Sequence, residues 1–143
     1  MQKTIFITGA TDGIGLETAN VLFSQGHYVL LHGRNPEKLE KVEKELSKLP
    51  GGGRVEKCVA DLSVMTDVVS LAESVIEKHE VLDVLINNAG VYSATENITK
   101  DELDVRFVVN TIAPYLLTKM LLPQLGTSGR VINVASAGQA PVN

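Results

Sequence analysis

The sequence predicts an α/β protein built on a doubly wound parallel sheet. Three observations carry that expectation. Five short apolar runs, beginning near Thr4, Tyr28, Arg54, Val81 and Val131, alternate with amphipathic stretches, the order required of parallel strands joined by crossover helices. Some runs, such as Ile5-Phe6-Ile7 and Val29-Leu30-Leu31, are apolar at consecutive positions, which suits strands covered on both faces. The first strand meets the first helix at a glycine-rich turn, Thr8-Gly9-Ala10-Thr11-Asp12-Gly13-Ile14-Gly15, around which the rest of the chain is organised. Right-handed crossovers leave few arrangements for five such strands, and the expected order is 3-2-1-4-5.

The elements follow from local pattern. A strand is expected over Thr4–Thr8 and a helix over Gly13–Gln25, closed by Gly26-His27. Tyr28–His32 supplies the second strand and completes a βαβ unit. Pro36 opens a helix reaching Leu49, in which Leu39, Val42, Leu46 and Leu49 recur at helical spacing and Glu and Lys fill a solvated face. Pro50-Gly51-Gly52-Gly53 is a loop inside one domain, because Arg54–Ala60 resumes the alternation and Asp61-Leu62 closes that strand. Val64–His79 reads as a third helix, with Val68, Leu71, Ala72, Val75 and Ile76 inward. Val81–Ile86 is the fourth strand and ends at Asn87-Asn88-Ala89-Gly90. Thr99 or Asp101 could cap a long helix from Lys100 to Leu122, and Val131–Val134 is the last strand. Pro114 has no N–H to satisfy the carbonyl of Asn110, so a kink that leaves that carbonyl free is expected there.

A length of 143 residues sets a single domain, 1–143. A hydrophobic fraction of 44% with 21% charged residues excludes a disordered chain. Net charge is −4 and no Lys/Arg cluster has the density of a nucleic-acid footprint; nucleic acid is not an expected partner. No stretch approaches the roughly 18 consecutive apolar residues of a membrane span, and Met1-Gln2-Lys3 leaves no room for a signal peptide, so no membrane association and a cytoplasmic location are expected. Cys58 is the only cysteine, which rules out an internal disulfide, and it reads as a buried strand thiol. His27, His32 and His79 are isolated, so no metal site is expected.

The glycine turn has a chemistry of its own. Glycine at a tight turn takes positive φ, and the lack of Cβ at further positions lets a phosphate approach the backbone at a helix N-terminus. Unpaired N–H groups and a partial positive charge there suit a dinucleotide pyrophosphate. In sheets of this class ligands bind beyond the carboxyl ends of the strands, where the order reverses between the first and fourth. Thr11–Gly15, Gly33-Arg34, Asp61-Leu62, Asn88-Ala89-Gly90 and Ser136 all follow strands at that edge. Each alone is ordinary turn or surface chemistry; five together point to a site.

The Gly-x-x-x-Gly-x-Gly spacing resembles the TGxxxGIG fingerprint of the short-chain dehydrogenase/reductase superfamily, in its non-extended branch, and Asn87-Asn88-Ala89-Gly90 resembles the NNAG motif of that family. The resemblance runs from Lys3 to the last residue. It implies a Rossmann fold of which this chain is the amino-terminal part, and a hydride transfer between NADP(H) and a small carbonyl or alcohol substrate. It implies cofactor contacts from Gly9, Thr11, Asp12, Gly13, Ile14 and Gly15 at the turn, Asp61 and Leu62 beside the adenine, and Asn88, Ala89 and Gly90 along the riboses. NAD-preferring members carry an aspartate where this chain has Gly33. Arg34 beside it can pair with a 2′-phosphate through two hydrogen bonds, so NADP(H) is favoured with NAD(H) possible. Asp12 stands where NADP-preferring relatives often have a basic residue.

Asn110 and Ser136 match the family's catalytic asparagine and serine, and the serine would hydrogen-bond the substrate oxygen as charge develops. Ala135 departs from a frequent serine. The general acid/base tyrosine and the lysine four residues later would follow Ser136, and no such pair stands between Ser136 and Asn143. Tyr115 and Lys119 share that spacing but precede the serine, on the helix of Asn110, and read as packing and surface residues. The leading expectation is therefore the cofactor-binding part of an oxidoreductase that works, and forms a homo-oligomer, at full length. The alternative is a truncated, non-catalytic module that binds nucleotide or a protein partner.

Overall fold

Along each central strand, successive side chains point to opposite faces, and that alternation sorts the core into two layers. The computed structural model describes residues 1–92 and 94–135. Its strands are β1 (Thr4–Ile7), β2 (Tyr28–Gly33), β3 (Arg54–Val59), β4 (Val84–Asn87) and β5 (Arg130–Asn133). All pair in parallel, in the order β3-β2-β1-β4-β5, which is the expected sheet. The helices are α1 (Gly13–Ser24), α2 (Pro36–Leu46), α3 (Met65–Lys78), a single turn α4 (Val105–Phe107) and α5 (Ala113–Leu125).

Ile5, Ile7, Val29, Leu31 and Ile86 face α1 and α2, meeting Ala19, Phe23, Leu39 and Val42. Phe6, Leu30, Cys58 and Leu85 face the opposite way, onto Val68, Leu71, Leu117 and Leu121 of α3 and α5. Each such apolar side chain, fully buried, contributes about 1.5–3 kcal/mol, so the two layers hold the sheet far more firmly than the surface ion pairs of Lys44 on α2 and Lys48 just beyond it. Burial pushes the Cys58 thiol up to about 12, which leaves it inert. In register, Ile7 faces Leu31 on one side and Ile86 on the other, so β2 runs two residues and β4 one residue past the end of β1. That edge carries the site.

The structure corrects several boundaries. The fourth strand begins at Val84 rather than Val81: Val81 is exposed, and Leu82 gives its N–H to the carbonyl of Gln124 on α5 instead of to a strand. The second helix stops at Leu46, with Ser47 as its cap. The long helix starts at Val105, not Lys100, because Thr99 is occupied in a turn, accepting from the amides of Asp101 and Leu103. Asp104 is the cap, accepting from the Arg106 amide, and hydrogen bonds from Arg106 hold its carboxyl down to about 2.

Where a kink is expected ahead of Pro114, the structure has a π-helical turn, Val108–Ile112, in which the Ala113 N–H reaches the carbonyl of Val108. The helical stretch Val105–Leu125 also corrects the reading of apolar runs. It has 21 residues, and an 18-residue window within it reaches a mean hydropathy of 1.3, long and apolar enough to cross a membrane. Here Val108, Ala113, Leu117, Leu121 and Leu125 are buried in the core beside the sheet.

Candidate functional site

Two turns interlock where the strand order reverses. Thr8, 2% exposed, accepts from the amides of both Asn88 and Ala89 through Oγ1, at 3.0 Å each. In return Asn88 Nδ2 donates to the carbonyls of Thr8 and Gly9 at 3.1 and 3.0 Å. The turn after β1 is thereby fastened to the turn after β4. Gly9 sits at φ +65, and a Cβ there would lie 2.8 Å from the Ala89 Cα, so both its conformation and its neighbour demand glycine. Gly15 is buried beneath the turn, where a Cβ would strike the Gly9 carbonyl and come within 2.5 Å of Asn88 Nδ2. Helix α1 therefore begins hard against the loop. Its cap, Asp12, makes no side-chain capping bond, which leaves the amides of the first turn unclaimed by that carboxylate.

A cleft of about 380 Å³ opens above this junction. From the β1 turn it is lined by Gly9, Thr11, Asp12, Gly13 and Ile14; from β2 by Arg34; from β3 by Asp61 and Leu62; and from β4 by Asn88, Ala89 and Gly90. The sequence-predicted cofactor residues thus converge on one cleft, with Gly15 supporting it from below. Arg34 is exposed and makes no ion pair among the described residues. Asp61 has local work as well: Oδ1 accepts from the amide and hydroxyl of Ser63, at 2.9 and 2.6 Å, fixing the β3 turn.

A second, larger cavity of about 1060 Å³ shares Asn88, Ala89 and Gly90 with the first and extends past Asn110 to Asn133 and Ala135. Asn110 clamps the loop after β4: Oδ1 accepts from the Val91 amide at 2.7 Å and Nδ2 donates to its carbonyl at 2.8 Å. Tyr115 and Lys119 line the same cavity, and Tyr115 is largely exposed. Asn87, 7% exposed, donates to Thr118 Oγ1 and Asn133 Oδ1 at 3.0 and 2.9 Å, while its own Oδ1 is buried without a partner among the described residues. Ser136 lies outside the described residues. No group of three His, Cys, Asp or Glu side chains among the described residues could hold a metal ion.

Two residues of the site make contacts with no signature in the sequence. Thr8 stands at the head of the TGxxxGIG fingerprint, but only the pairing of β1 with β4 reveals what its hydroxyl holds. His32 reads as isolated, yet it is 3% exposed and sits between the turns after β1 and β3. Spacing along the chain carries no signal for either contact.

The cleft fits a dinucleotide on its own geometry: close backbone approach enforced at Gly9 and Gly15, an open helix N-terminus, and a guanidinium at the rim. A doubly wound parallel sheet with a cleft at its switch point is an α/β protein of the Rossmann type. The family model for short chain dehydrogenase matches residues 3–143, and the chain belongs to that family. It is 36% identical to an uncharacterised oxidoreductase of Schizosaccharomyces pombe over 149 residues, covering 97% of this chain and 44% of the relative. It is 36% identical to human retinol dehydrogenase 13 over 136 residues, covering 94% and 41%. A metagenomic short-chain oxidoreductase solved in complex with NADP is 37% identical with a TM-score of 0.82, over 98% of this chain and 65% of that one. The chain thus spans less than half the length of the curated relatives it matches.

Proposed function

We propose that this protein is an NADP(H)-dependent oxidoreductase that interconverts a carbonyl and an alcohol on a small molecule. The observation that supports it most is the convergence of the glycine cradle, Arg34, Asp61-Leu62 and Asn88–Gly90 on one cleft at the β1/β4 switch point. In this reading the α1 N-terminus takes the pyrophosphate, Arg34 the adenosine 2′-phosphate, Asp61 and Leu62 the adenine edge, and Asn88–Gly90 the riboses. A relative solved with NADP supports the choice of cofactor. The bound nicotinamide supplies or accepts the hydride. Asn110 holds the loop after β4 in place, and Ser136 hydrogen-bonds the substrate oxygen where negative charge develops. Proton transfer to that oxygen falls to a tyrosine and lysine beyond residue 143, because Tyr115 and Lys119 precede the serine on the helix of Asn110. The exposed side chains of Phe107, Tyr115 and Leu122 on that helix suit a homo-oligomer contact.

The test follows NADPH oxidation with a panel of small ketones and aldehydes, using residues 1–143 and a polypeptide that continues through a tyrosine and a lysine four residues on. Turnover is expected only from the longer chain, since positioned proton transfer is typically worth about 10²–10⁴-fold. Turnover by 1–143 alone would reassign the acid/base role to Tyr115 and Lys119. A longer chain that binds NADPH and reduces nothing would favour the non-catalytic module.

A further inference from the structure

His32 grips the glycine turn from β2 by two routes. Its carbonyl accepts from the Ala10 amide at 2.8 Å, and its ring Nδ1 accepts from the Gly9 amide at 3.0 Å. The other ring nitrogen, Nε2, lies 2.9 Å from the carbonyl of Ala60 at the end of β3. The partners dictate the tautomer. An amide N–H can only donate and a carbonyl can only accept, so Nδ1 must be bare and Nε2 must carry the proton. The ring therefore spans three strand ends, holding Gly9 on the pyrophosphate side against Ala60, next to Asp61, on the adenine side. With Asn88 Nδ2 on the Gly9 carbonyl, both polar groups of this glycine are fixed by side chains from other strands.

We propose that His32 is a positioning residue of the dinucleotide cleft, setting the separation between the glycine turn and the β3 end that the two halves of the adenosine diphosphate must span. The inference rests on the dinucleotide reading above and extends it to a residue that the cofactor need not touch. The arrangement is specific to the neutral ring: an added proton at Nδ1 would place N–H against N–H and release Gly9. The charged groups sharing the cleft with His32 are Asp12 after β1, Arg34 after β2 and Asp61 after β3. Burial, the largest influence, pushes the His32 imidazole down from its ordinary value, against the Ala60 hydrogen bond and the Asp61 charge.

Two variants separate the two ends of the ring. His32→Asn keeps an acceptor at the δ position for Gly9 but cannot reach Ala60; His32→Leu keeps the bulk and removes both bonds. In the intact protein without cofactor, ¹⁵N spectra of the imidazole are expected to show the Nε2–H tautomer, and the Gly9 amide is expected to exchange slowly in wild type and His32→Asn. NADP⁺ titration is expected to weaken about tenfold in His32→Leu, the scale of one lost buried hydrogen bond, and less in His32→Asn. As pH falls below the ordinary histidine value of about 6.5, wild type should lose more NADP⁺ affinity than His32→Asn, the phosphate's own titration being common to both. If His32→Leu does not fold, the His32→Asn comparison carries the test. A ring found with Nδ1 protonated at neutral pH, or variants that bind NADP⁺ as wild type does, would overturn the positioning role alone. Wild type that fails to bind NADP⁺ while showing the expected tautomer would instead overturn the dinucleotide reading on which the role rests.

Discussion

The two halves of the cleft are built differently. On the β2–β1 side the turns are tied by side chains: Thr8 accepts from two amides, Asn88 of the turn after β4 donates to two carbonyls, and His32 bonds Gly9 and Ala60. The β4–β5 side is loose. All four residues of β5 are exposed, Val131 and Ile132 among them, and Asn87 Oδ1 is buried without a partner among the described residues. A bound dinucleotide needs rigid backbone where its phosphates approach closely. On the reading proposed above, the reacting end is shaped by side chains from more of the chain. The difference is one of attachment: the turns after β1, β3 and β4 are tied by side-chain hydrogen bonds, whereas β5 is exposed along its length.

Substitutions on the two sides should therefore differ in consequence. The largest effect is expected from Gly9→Ala. It imposes positive φ on a side-chain residue and a Cβ 2.8 Å from the Ala89 Cα, costing about 1–3 kcal/mol of stability in strain, and it removes the close approach on which NADP⁺ binding depends. Thermal unfolding together with cofactor titration checks both parts. Thr8→Val comes next. It preserves shape but leaves the Asn88 and Ala89 amides without an acceptor, and a melting curve should register about 1–3 kcal/mol, with Thr8→Ser restoring most of it. Unchanged stability in Thr8→Val would mean that the two turns are not held by this hydroxyl.

Across the cleft, Asn133→Ala removes one of two hydrogen bonds from Asn87, at an exposed strand, and is expected to cost about 0.5–1.5 kcal/mol. A larger loss than that of Thr8→Val would invert the contrast between the halves. Tyr115→Phe, at a largely exposed position, should shift stability and NADP⁺ affinity by less than about 0.5 kcal/mol. Acid adds an independent probe of the tight side. Because burial lowers the His32 pKa, the unfolded chain binds a proton before the folded one. This contribution to stability is present above the histidine's unfolded value of about 6.5 and declines as pH falls below it. A pH series of melting temperatures in which His32→Asn lacks that decline would locate it.

The legible parts of this molecule are those in which chemistry and periodicity coincide. Strand alternation around Ile5-Phe6-Ile7 and Val29-Leu30-Leu31 predicts the sheet and its order, and the turn from Gly9 to Gly15 predicts where ligand meets backbone. Pro114 predicts an irregular helix because a missing N–H is a property of the residue. The contacts of Thr8 and His32 are opaque for the opposite reason: their partners lie far away in sequence, and no period links them. The start of the last helix is misread in the sequence because Thr99 and Asp101 can cap as well as Asp104, the residue that does. Only the turn closed by the Thr99 hydroxyl and the pairing of Ile98 with Asp104 choose among them.

The central claim, that the tight half of the cleft is built for a 2′-phosphorylated dinucleotide, is tested most directly by titrating NADP⁺ and NAD⁺ into wild type and Arg34→Ala. Arg34 makes no ion pair among the described residues, so its removal should leave the fold intact and isolate the phosphate contact. NADP⁺ binding is expected to weaken by about 1.5–3 kcal/mol, the scale of a charge-assisted hydrogen bond, with NAD⁺ binding little changed. Equal loss for both cofactors, or no loss for either, would contradict it.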